Sequence, residues 1–285
     1  MMDITGNKAD IRLIALDLDG TLLDSEKCLS ERNRKVLEEC VRRGIYVVPC
    51  TGRIWEGIPD FIRELPGIRY AITTNGAVVE DVQEHYVIDE RKLTCAQALD
   101  ILEMAQQFHT MYDVYVGGKA FGEERFLKNL ESFGIPATLQ SMIRSTRQIV
   151  PDVMEKVRTL NAPAEKINYF FGDLTERLRA KKALEARGDV VISSSFTTNL
   201  EINALGATKG DAIWRLAEHL GLKPEQTMGF GDGGNDLTMM KMAGIGVAMG
   251  NAEEEIKEAS NYVTASNDDD GVAWAIEKLV LKREG

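Results

Sequence analysis

A short apolar run, Leu13 to Leu16, ends abruptly in Asp17, Asp19, Gly20 and Thr21. Consecutive apolar residues of this kind are typical of a strand that is covered on both faces, as in the parallel sheet of an α/β protein. Glycine permits the tight exit that such a strand needs. Because ligands of these sheets collect at the carboxyl ends of the strands, the run predicts an α/β fold with a functional loop at Asp17.

The two acids of this loop, Asp17 and Asp19, stand one residue apart. In an extended chain both side chains would point to the same side, where two like charges 4 Å apart repel by about 4 kcal/mol at an effective dielectric near 20. A cation between them would offset this repulsion, and Mg²⁺ prefers carboxylate ligands. The pattern favours a magnesium site, although solvated carboxylates at a strand end remain an alternative.

Length and charge limit the classes of protein to which the chain can belong. Its 285 residues suggest two domains, and 44% hydrophobic with 28% charged residues is ordinary for a globular protein. The formal net charge of -11 disfavours nucleic acids and anionic membranes as partners. A small anionic substrate would need local compensation by Lys, Arg or a metal ion.

The cysteines Cys28, Cys40, Cys50 and Cys95 lack CxxC spacing, which favours reduced thiols and a cytoplasmic location. Residues 1–10 contain no apolar core of the kind found in signal peptides. No apolar run approaches the length of a membrane span, so we expect no membrane partner. The oligomeric state stays open at this stage.

Two further apolar strands also end in polar residues. Ile45 to Cys50 is followed by Thr51, Gly52 and Arg53, and the run Tyr70 to Thr74 is followed by an Asn-Gly pair. Taken alone, Thr51 suits an ordinary strand-to-helix turn, and Asn-Gly is first a turn signal. Arg53 fits equally well a residue that orients the site and one that forms a salt bridge.

The last part of the chain adds a lysine and a second acidic loop. Thr208 is a suitable N-cap for a helix that runs to Leu220, which places Lys209 in the first turn, where a positive charge opposes the helix dipole. A residue placed against its local preference invites a functional interpretation. The strand Thr227 to Gly231 then ends in a loop that contains Asp232, Asn235 and Asp236.

Together these stretches resemble the four motifs of the haloacid dehalogenase superfamily of aspartate-dependent phosphatases. The resemblance covers roughly residues 11–82 and 206–281, and the motifs occur in the family's order. The matching segments are Asp17-Leu18-Asp19-Gly20-Thr21, Thr51-Gly52-Arg53, Lys209-Gly210 and Gly231-Asp232-Gly233-Gly234-Asn235-Asp236.

The resemblance implies a role for each motif residue. Asp17 would be the nucleophile and Asp19 the general acid and base. The groups expected to hold the substrate phosphate are those of Leu18, Thr51, Gly52, Lys209 and Asn235. The expected Mg²⁺ ligands are Asp17, the backbone carbonyl of Asp19, and Asp232, with Asp236 nearby.

The middle of the chain has the pattern of an inserted domain. The connection after Thr21 is too short for a cap domain, whereas residues 83–205 alternate hairpins and helices, which indicates an α+β module on an antiparallel sheet. An insertion in this position resembles the Cof-type branch (subclass IIB, C2-capped), whose cap lies over the active site. We therefore predict a doubly wound parallel-sheet core, residues 1–82 and 206–285, with an inserted α+β cap.

The expected function is hydrolysis of a small phosphomonoester, a sugar phosphate or phosphorylated cofactor, through an aspartyl-phosphate and with Mg²⁺. Two alternatives stay open. A phosphomutase could share every motif, and a non-enzymatic regulatory or binding protein could keep a relic site, although no motif acid is missing. Candidate substrate-contacting residues in the cap are Tyr112, Tyr115, Lys119 and Tyr169, each of which also fits a structural role.

Three local expectations concern the middle and the end of the chain. We expect an irregular stretch around Pro136 to Pro151 and core packing for Met239 and Met240. The acidic run Asp268 to Asp270 precedes the last helix, and we interpret it as helix capping in preference to a metal site.

Overall fold

The computed structural model describes residues 10–282. Its strands, numbered in chain order, are β1 (Leu13–Leu16), β2 (Tyr46–Pro49), β3 (Tyr70–Thr73), β4 (Val78–Asp81), β5 (Tyr86–Glu90), β6 (Met111–Val116), β7 (Lys119–Glu123), β8 (Arg147–Val150), β9 (Ala164–Phe170), β10 (Val190–Ser193), β11 (Asn199–Ala204), β12 (Thr227–Gly231), β13 (Ile245–Ala248) and β14 (Tyr262–Val263).

The helices are numbered in the same way. They are α1 (Glu31–Arg42), α2 (Asp60–Arg63), α3 (Cys95–Ala105), α4 (Glu124–Leu127), α5 (Ala137–Thr146), α6 (Val153–Leu160), α7 (Leu174–Glu185), α8 (Lys209–His219), α9 (Leu237–Met242), α10 (Glu254–Ala259) and α11 (Gly271–Ile276). Within the described residues no helix has the length and apolar character that crossing a membrane requires.

The described chain forms two compact units. The first contains residues 10–53, 58–90 and 208–282, and the second contains residues 54–57 and 91–207. The boundaries predicted from the sequence are at 82 and 206, and the main difference is that β5 is grouped here with the first unit.

The first unit is built on a parallel sheet with the strand order β14-β13-β12-β1-β2. The chain runs from β1 to β2 on one side, and strands β12 to β14 extend the sheet on the other, so the strand order reverses next to β1. Helix α1 packs on α11 and helix α8 on α9. The predicted doubly wound α/β core is confirmed.

Strand β3 continues this core in a way that the sequence did not indicate. Its Ile72 forms an isolated parallel bridge with Cys50, the residue after β2, and β3 forms an antiparallel sheet with β4 and β5. The carboxyl end of β3 leads into a 3₁₀ turn, Thr74–Gly76.

The second unit is built on a six-stranded sheet with the order β10-β11-β9-β6-β7-β8, in which every pair except β7 and β8 is antiparallel. Its apolar face carries Val114, Ile167 and Tyr169, all fully buried, and the Tyr169 hydroxyl donates to the carbonyl of Ile101 on α3. The other face is polar and carries Asp113, Lys166 and Asn168.

Two local expectations were wrong and one was confirmed. The stretch around Pro136 to Pro151 contains α5 and β8, because Pro136, with φ -55°, leads directly into a helix and Arg147 then turns the chain to extended backbone. The run after Asn267 does not cap α11: Asp268 accepts from the Ser25 N–H and hydroxyl, both at 2.7 Å. Met239 and Met240 are buried, as predicted.

Candidate active site

The carboxyl ends of β1 and β12 lie side by side where the strand order of the parallel sheet reverses. Leu16 is paired with Phe230, and the next residue, Asp17, donates its N–H to the Phe230 carbonyl at 3.0 Å. Asp232 follows the last residue of β12. Ligands of α/β sheets bind in the crevice at such a switch point, so both acidic loops begin where a ligand is expected.

Three carboxylates converge at this point. One oxygen from each of Asp17, Asp232 and Asp236 lies within 4.8 Å of the other two. Asp236 is fixed by hydrogen bonds that its Oδ2 accepts from the N–H groups of Asp232 and Gly233, at 2.9 and 3.0 Å. A Cβ at Gly231 would overlap the Asp236 side chain, so the end of β12 requires glycine.

Lys209 is the cation of this cluster. Its side chain is fully buried, and its Nζ donates to Asp17 Oδ1 at 2.7 Å and to Asp236 Oδ1 at 2.6 Å. Helix α8 begins at Lys209 because the preceding Thr208 caps it, its hydroxyl accepting from the Asp211 N–H at 3.1 Å. The predicted N-cap of α8 is confirmed. Lys209, whose charge opposes the helix dipole, has two carboxylate partners.

The cluster carries more negative than positive charge. Burial raises the pKa of Asp17 well above its usual range; Lys209 only partly offsets this, and Asp236 and Asp232 add to the rise. Burial, then the charge of Asp236, raises the pKa of Asp232 to about 7. Burial opposes the charge on Lys209, but Asp17 and Asp236 outweigh it and hold the pKa of the ammonium above its usual value.

These observations describe a site that fits a divalent metal ion. Three carboxylates share one ammonium, and the rise in the pKa of two acids reflects burial together with the charge of neighbouring carboxylates. A hard cation with oxygen ligands would compensate that charge. The residues that could hold it are Asp17, Asp232 and Asp236.

Asp19 lies in a different environment. Arg53 donates to it through Nε at 2.8 Å and Nη2 at 2.7 Å, and Lys27 Nζ lies 3.0 Å away. Burial would raise the pKa of Asp19, but these two cations outweigh it and hold the pKa below its usual value. The expectation that Asp17 and Asp19 share one cation assumed an extended chain, whereas β1 ends at Leu16 and each acid has its own cationic partner.

The loop between the two acids and α1 is fastened to the second acidic loop. The Thr21 hydroxyl donates to Asp232 Oδ1 at 2.6 Å, and Asn251 Nδ2 donates to the Gly20 carbonyl at 2.8 Å. Gly20 has φ +83°, and a Cβ there would overlap the Asp232 carboxylate. The glycine therefore serves both the turn and the close approach of the two loops.

The remaining predicted phosphate-binding residues lie on neighbouring loops of the first unit. Thr51 is buried, and its hydroxyl accepts from the Arg53 N–H at 3.2 Å, across Gly52. The Leu18 side chain is fully buried, which leaves its backbone as the part that a ligand can meet. Asn235 Nδ2 donates to Asn75 Oδ1 at 3.2 Å.

Four residues of this site were given no role from the sequence: Thr21, Lys27, Asn75 and Asn251. Thr21 and Asn75 stand in loops that the strand pattern already marks as functional, and the Asn-Gly pair at a strand end was the signal for Asn75. Lys27 reaches Asp19 from farther along the same loop, Asn251 reaches Gly20 from the loop after β13, and no local pattern indicates either contact.

The family model for haloacid dehalogenase-like hydrolases matches residues 14–276. The chain belongs to this family of hydrolases, and it is a phosphatase of the Cof type.

Individual relatives agree with this assignment. The 5-amino-6-(5-phospho-D-ribitylamino)uracil phosphatase YcsE of Bacillus subtilis is 33% identical over 98% of this chain and 100% of its own length. The pyridoxal phosphate phosphatase YbhA of Escherichia coli is 29% identical over 93% of this chain and 97% of its own. The solved structure of the subclass IIB sugar phosphatase BT4131 has a TM-score of 0.79 and 25% identity, over 94% of this chain and 98% of its own.

We expect Lys209→Met to lower the free energy of unfolding by about 3 kcal/mol or more, because it leaves two buried carboxylates without their cation. Urea unfolding in chelator, followed by circular dichroism, measures this loss. Lys35→Met is the matched control, since Lys35 pairs with Glu31 on the exposed face of α1. A loss as small as that of the control would contradict the central role of Lys209.

Proposed function

We propose that the protein hydrolyses a small phosphomonoester, a sugar phosphate or phosphorylated cofactor, through an aspartyl-phosphate at Asp17 and with Mg²⁺. The observation that carries the proposal is the buried cluster in which Lys209 holds Asp17 beside Asp232 and Asp236. The named activities of the relatives, on phosphorylated cofactors and sugars, support the substrate class.

In this proposal Asp17 is the nucleophile. An oxygen of its carboxylate attacks phosphorus, and the bond between phosphorus and the leaving oxygen breaks. Lys209 favours the anionic form of the nucleophile and partly offsets burial, which favours the protonated form. A water then attacks the phosphorylated Asp17, the bond from phosphorus to the Asp17 oxygen breaks, and inorganic phosphate leaves.

Asp19 supplies the proton in the first step and accepts one from the attacking water in the second. The contacts with Arg53 and Lys27 set a condition for this role. Both cations favour the ionised form of Asp19, so the leaving oxygen must replace at least one of them before Asp19 can act as an acid. Arg53 and Lys27 therefore keep Asp19 ordered before substrate binds.

A bound Mg²⁺ would supply Lewis-acid stabilisation of the phosphoryl oxygens and would orient them for in-line attack. Its protein ligands would be the carboxylates of Asp17 and Asp232 and the carbonyl of Asp19, with Asp236 in the surrounding acidic group. The charge on the equatorial oxygens is the main demand in phosphoryl transfer. The groups of this chain that we assign to stabilising this charge are Lys209, Thr51, Asn235 and the backbone N–H groups of Leu18 and Gly52.

We also infer a cytoplasmic location, which the four free cysteines support.

The second unit is the proposed source of substrate selectivity, and its polar sheet face supports this. The face pairs Asp113 with Arg147, whose Nη2 lies 2.8 Å from the carboxylate, and Lys166 with Glu201 at 3.2 Å. Asn168 Nδ2 donates to Asp113 at 2.7 Å, and among residues 10–282 its buried Oδ1 has no hydrogen-bond donor. Such an oxygen costs about 1–3 kcal/mol, which a substrate hydroxyl or N–H would recover.

The four candidate residues predicted in the insertion differ in sheet face and in burial. Tyr115 lies on the polar face, where Arg147 and Lys166 stand 5.3 and 4.9 Å from its ring centre. Tyr169 is on the apolar face and structural. Tyr112 is buried and accepts from Arg125 at 3.2 Å, and Lys119 is exposed.

Asp17→Asn should abolish phosphate release while the protein stays folded, because an amide cannot act as the anionic nucleophile. Steady-state release of inorganic phosphate from a panel of sugar phosphates, nucleotides and cofactor phosphates measures this. Asp268→Asn, outside the cluster, is the control. Activity above a few per cent of wild type, with a matching circular dichroism spectrum, would rule out Asp17 as the nucleophile.

Mg²⁺ should raise the melting temperature of chelator-treated protein, since a ligand that binds only the folded state at 100 times its Kd stabilises it by about 2.7 kcal/mol. Ca²⁺ should have a smaller effect because it prefers a larger, looser shell. Asp232→Asn should remove most of the Mg²⁺ shift, and Asp268→Asn should keep it. An unchanged shift in Asp232→Asn would remove this carboxylate from the metal site.

Asn168→Ala should change the ranking of the substrate panel by about 2- to 10-fold in kcat/KM, the effect of one lost hydrogen bond. Its activity on acetyl phosphate, which has a minimal leaving group, should stay near that of wild type. Asn129→Ala is the matched control, since this exposed asparagine of the same unit bonds only weakly to the Arg125 carbonyl, at 3.4 Å. An unchanged ranking would refute the proposed role of the polar face.

A further inference from the structure

The turn after β3 has an unusual backbone. Thr74, Asn75 and Gly76 have φ values of +48°, +62° and +95° in succession. Glycine adopts this region readily and asparagine tolerates it, but for a β-branched threonine it is a genuine outlier. Strain of about 1–3 kcal/mol per residue persists only where the surroundings determine the conformation, and it concentrates at functional sites.

The strained backbone holds the loop that contains Thr51. The Thr74 N–H donates to the Arg53 carbonyl at 2.9 Å, and the Asn75 N–H donates to the Thr51 carbonyl at 3.0 Å. These two carbonyls stand on either side of Gly52. The conformation of the Thr51 loop therefore depends on the left-handed turn beside it.

The same turn meets the residues that precede and follow Lys209. A Cβ at Gly76 would overlap the carbonyl of Thr208, the N-cap of α8, so the turn and the start of this helix are in close contact. Arg215, farther along α8, donates to the Gly76 carbonyl through Nη2 at 2.6 Å. The turn is thus fixed against the helix that carries Lys209.

The Asn75 side chain reaches the loop after β12, which contains Asn235. Asn75 is 2% exposed, and its Oδ1 accepts from Asn235 Nδ2 at 3.2 Å. A side-chain amide nitrogen carries two hydrogens. Asn75 takes one of them, which fixes the plane of the Asn235 amide and directs the second hydrogen. An amide fixed in advance loses less rotamer freedom when a ligand binds.

We propose that Asn75 is a positioning residue that orients the Asn235 amide for its contact with the phosphoryl group. The inference rests on the proposed function, in which Asn235 binds substrate phosphate. It explains why this turn places asparagine, and not a second glycine, in the middle of a left-handed backbone. A glycine in place of Asn75 would satisfy the dihedral angle but would offer no acceptor to Asn235.

The test compares Asn75→Gly with wild type by calorimetric titration of inorganic phosphate in the presence of Mg²⁺. Glycine accepts φ +62° without strain, so the fold is kept while the acceptor is lost. Phosphate affinity should fall by about 2- to 10-fold, KM should rise by a similar factor, and kcat should change by less than twofold. Unchanged phosphate affinity would overturn the proposal.

A double-mutant cycle shows whether Asn75 acts through Asn235. Phosphate affinity in Asn75→Gly/Asn235→Ala should equal that in Asn235→Ala alone, because the second change removes the group that Asn75 orients. If the loss of phosphate affinity in the double variant equalled the product of the two single losses, the positioning role would be overturned. Asn161→Gly is the matched control: Asn161 is also left-handed, at φ +44°, but it caps α6 in the second unit, and its replacement should leave phosphate affinity unchanged.

The double-mutant cycle of phosphate affinity is separate from the test of the proposed function. Phosphate release from none of the panel by wild type would refute the proposed substrate class, while the titrations would still decide whether Asn75 supports Asn235. A wild-type protein that does not bind phosphate with Mg²⁺ present would overturn the positioning role.

Discussion

The buried ion cluster around Lys209 is the interaction on which the rest of the first unit depends. Removing an ammonium or a carboxylate from water costs several kcal/mol per ion, and close partners with good geometry offset that cost. Lys209 meets this condition with two carboxylates at 2.7 and 2.6 Å, one from the loop after β1 and one from the loop after β12. It therefore holds together three segments that are far apart in the sequence.

The strand ends explain why much of this site was predictable. An apolar run long enough for a covered strand, followed at once by acids or a hydroxyl, marks the carboxyl end of a parallel strand, and parallel strands bring those ends to one edge. Asp17, Thr51 and Asp232 were found in this way. Lys209 was recognisable because it opposes the helix dipole at its position, and the two carboxylates supply the compensation that the helix does not.

The contacts that the sequence did not reveal are those between residues distant along the chain. Asp268 follows the pattern of a helix-capping acid, yet it binds Ser25, and only the folded chain brings these residues together. The contact of Asp19 with Arg53 depends in the same way on the fold, and its contact with Lys27 depends on the course of the loop that carries both residues. Strand β3 was recognised from its apolar run, which is typical of parallel strands, but its antiparallel pairing with β4 was not, since a sheet can carry an antiparallel neighbour that the run itself does not indicate.

The charge balance also links the two ligands of the proposed reaction. The chain carries a formal net charge of -11, and its central cluster has three carboxylates for one lysine. A phosphate approaching these acids meets repulsion that a divalent cation would reverse. A cation that binds first would favour phosphate, and by thermodynamic reciprocity phosphate would strengthen cation binding by the same factor. In the proposed reaction, the acidic excess that by itself would repel an anion would thus make each ligand a condition for tight binding of the other.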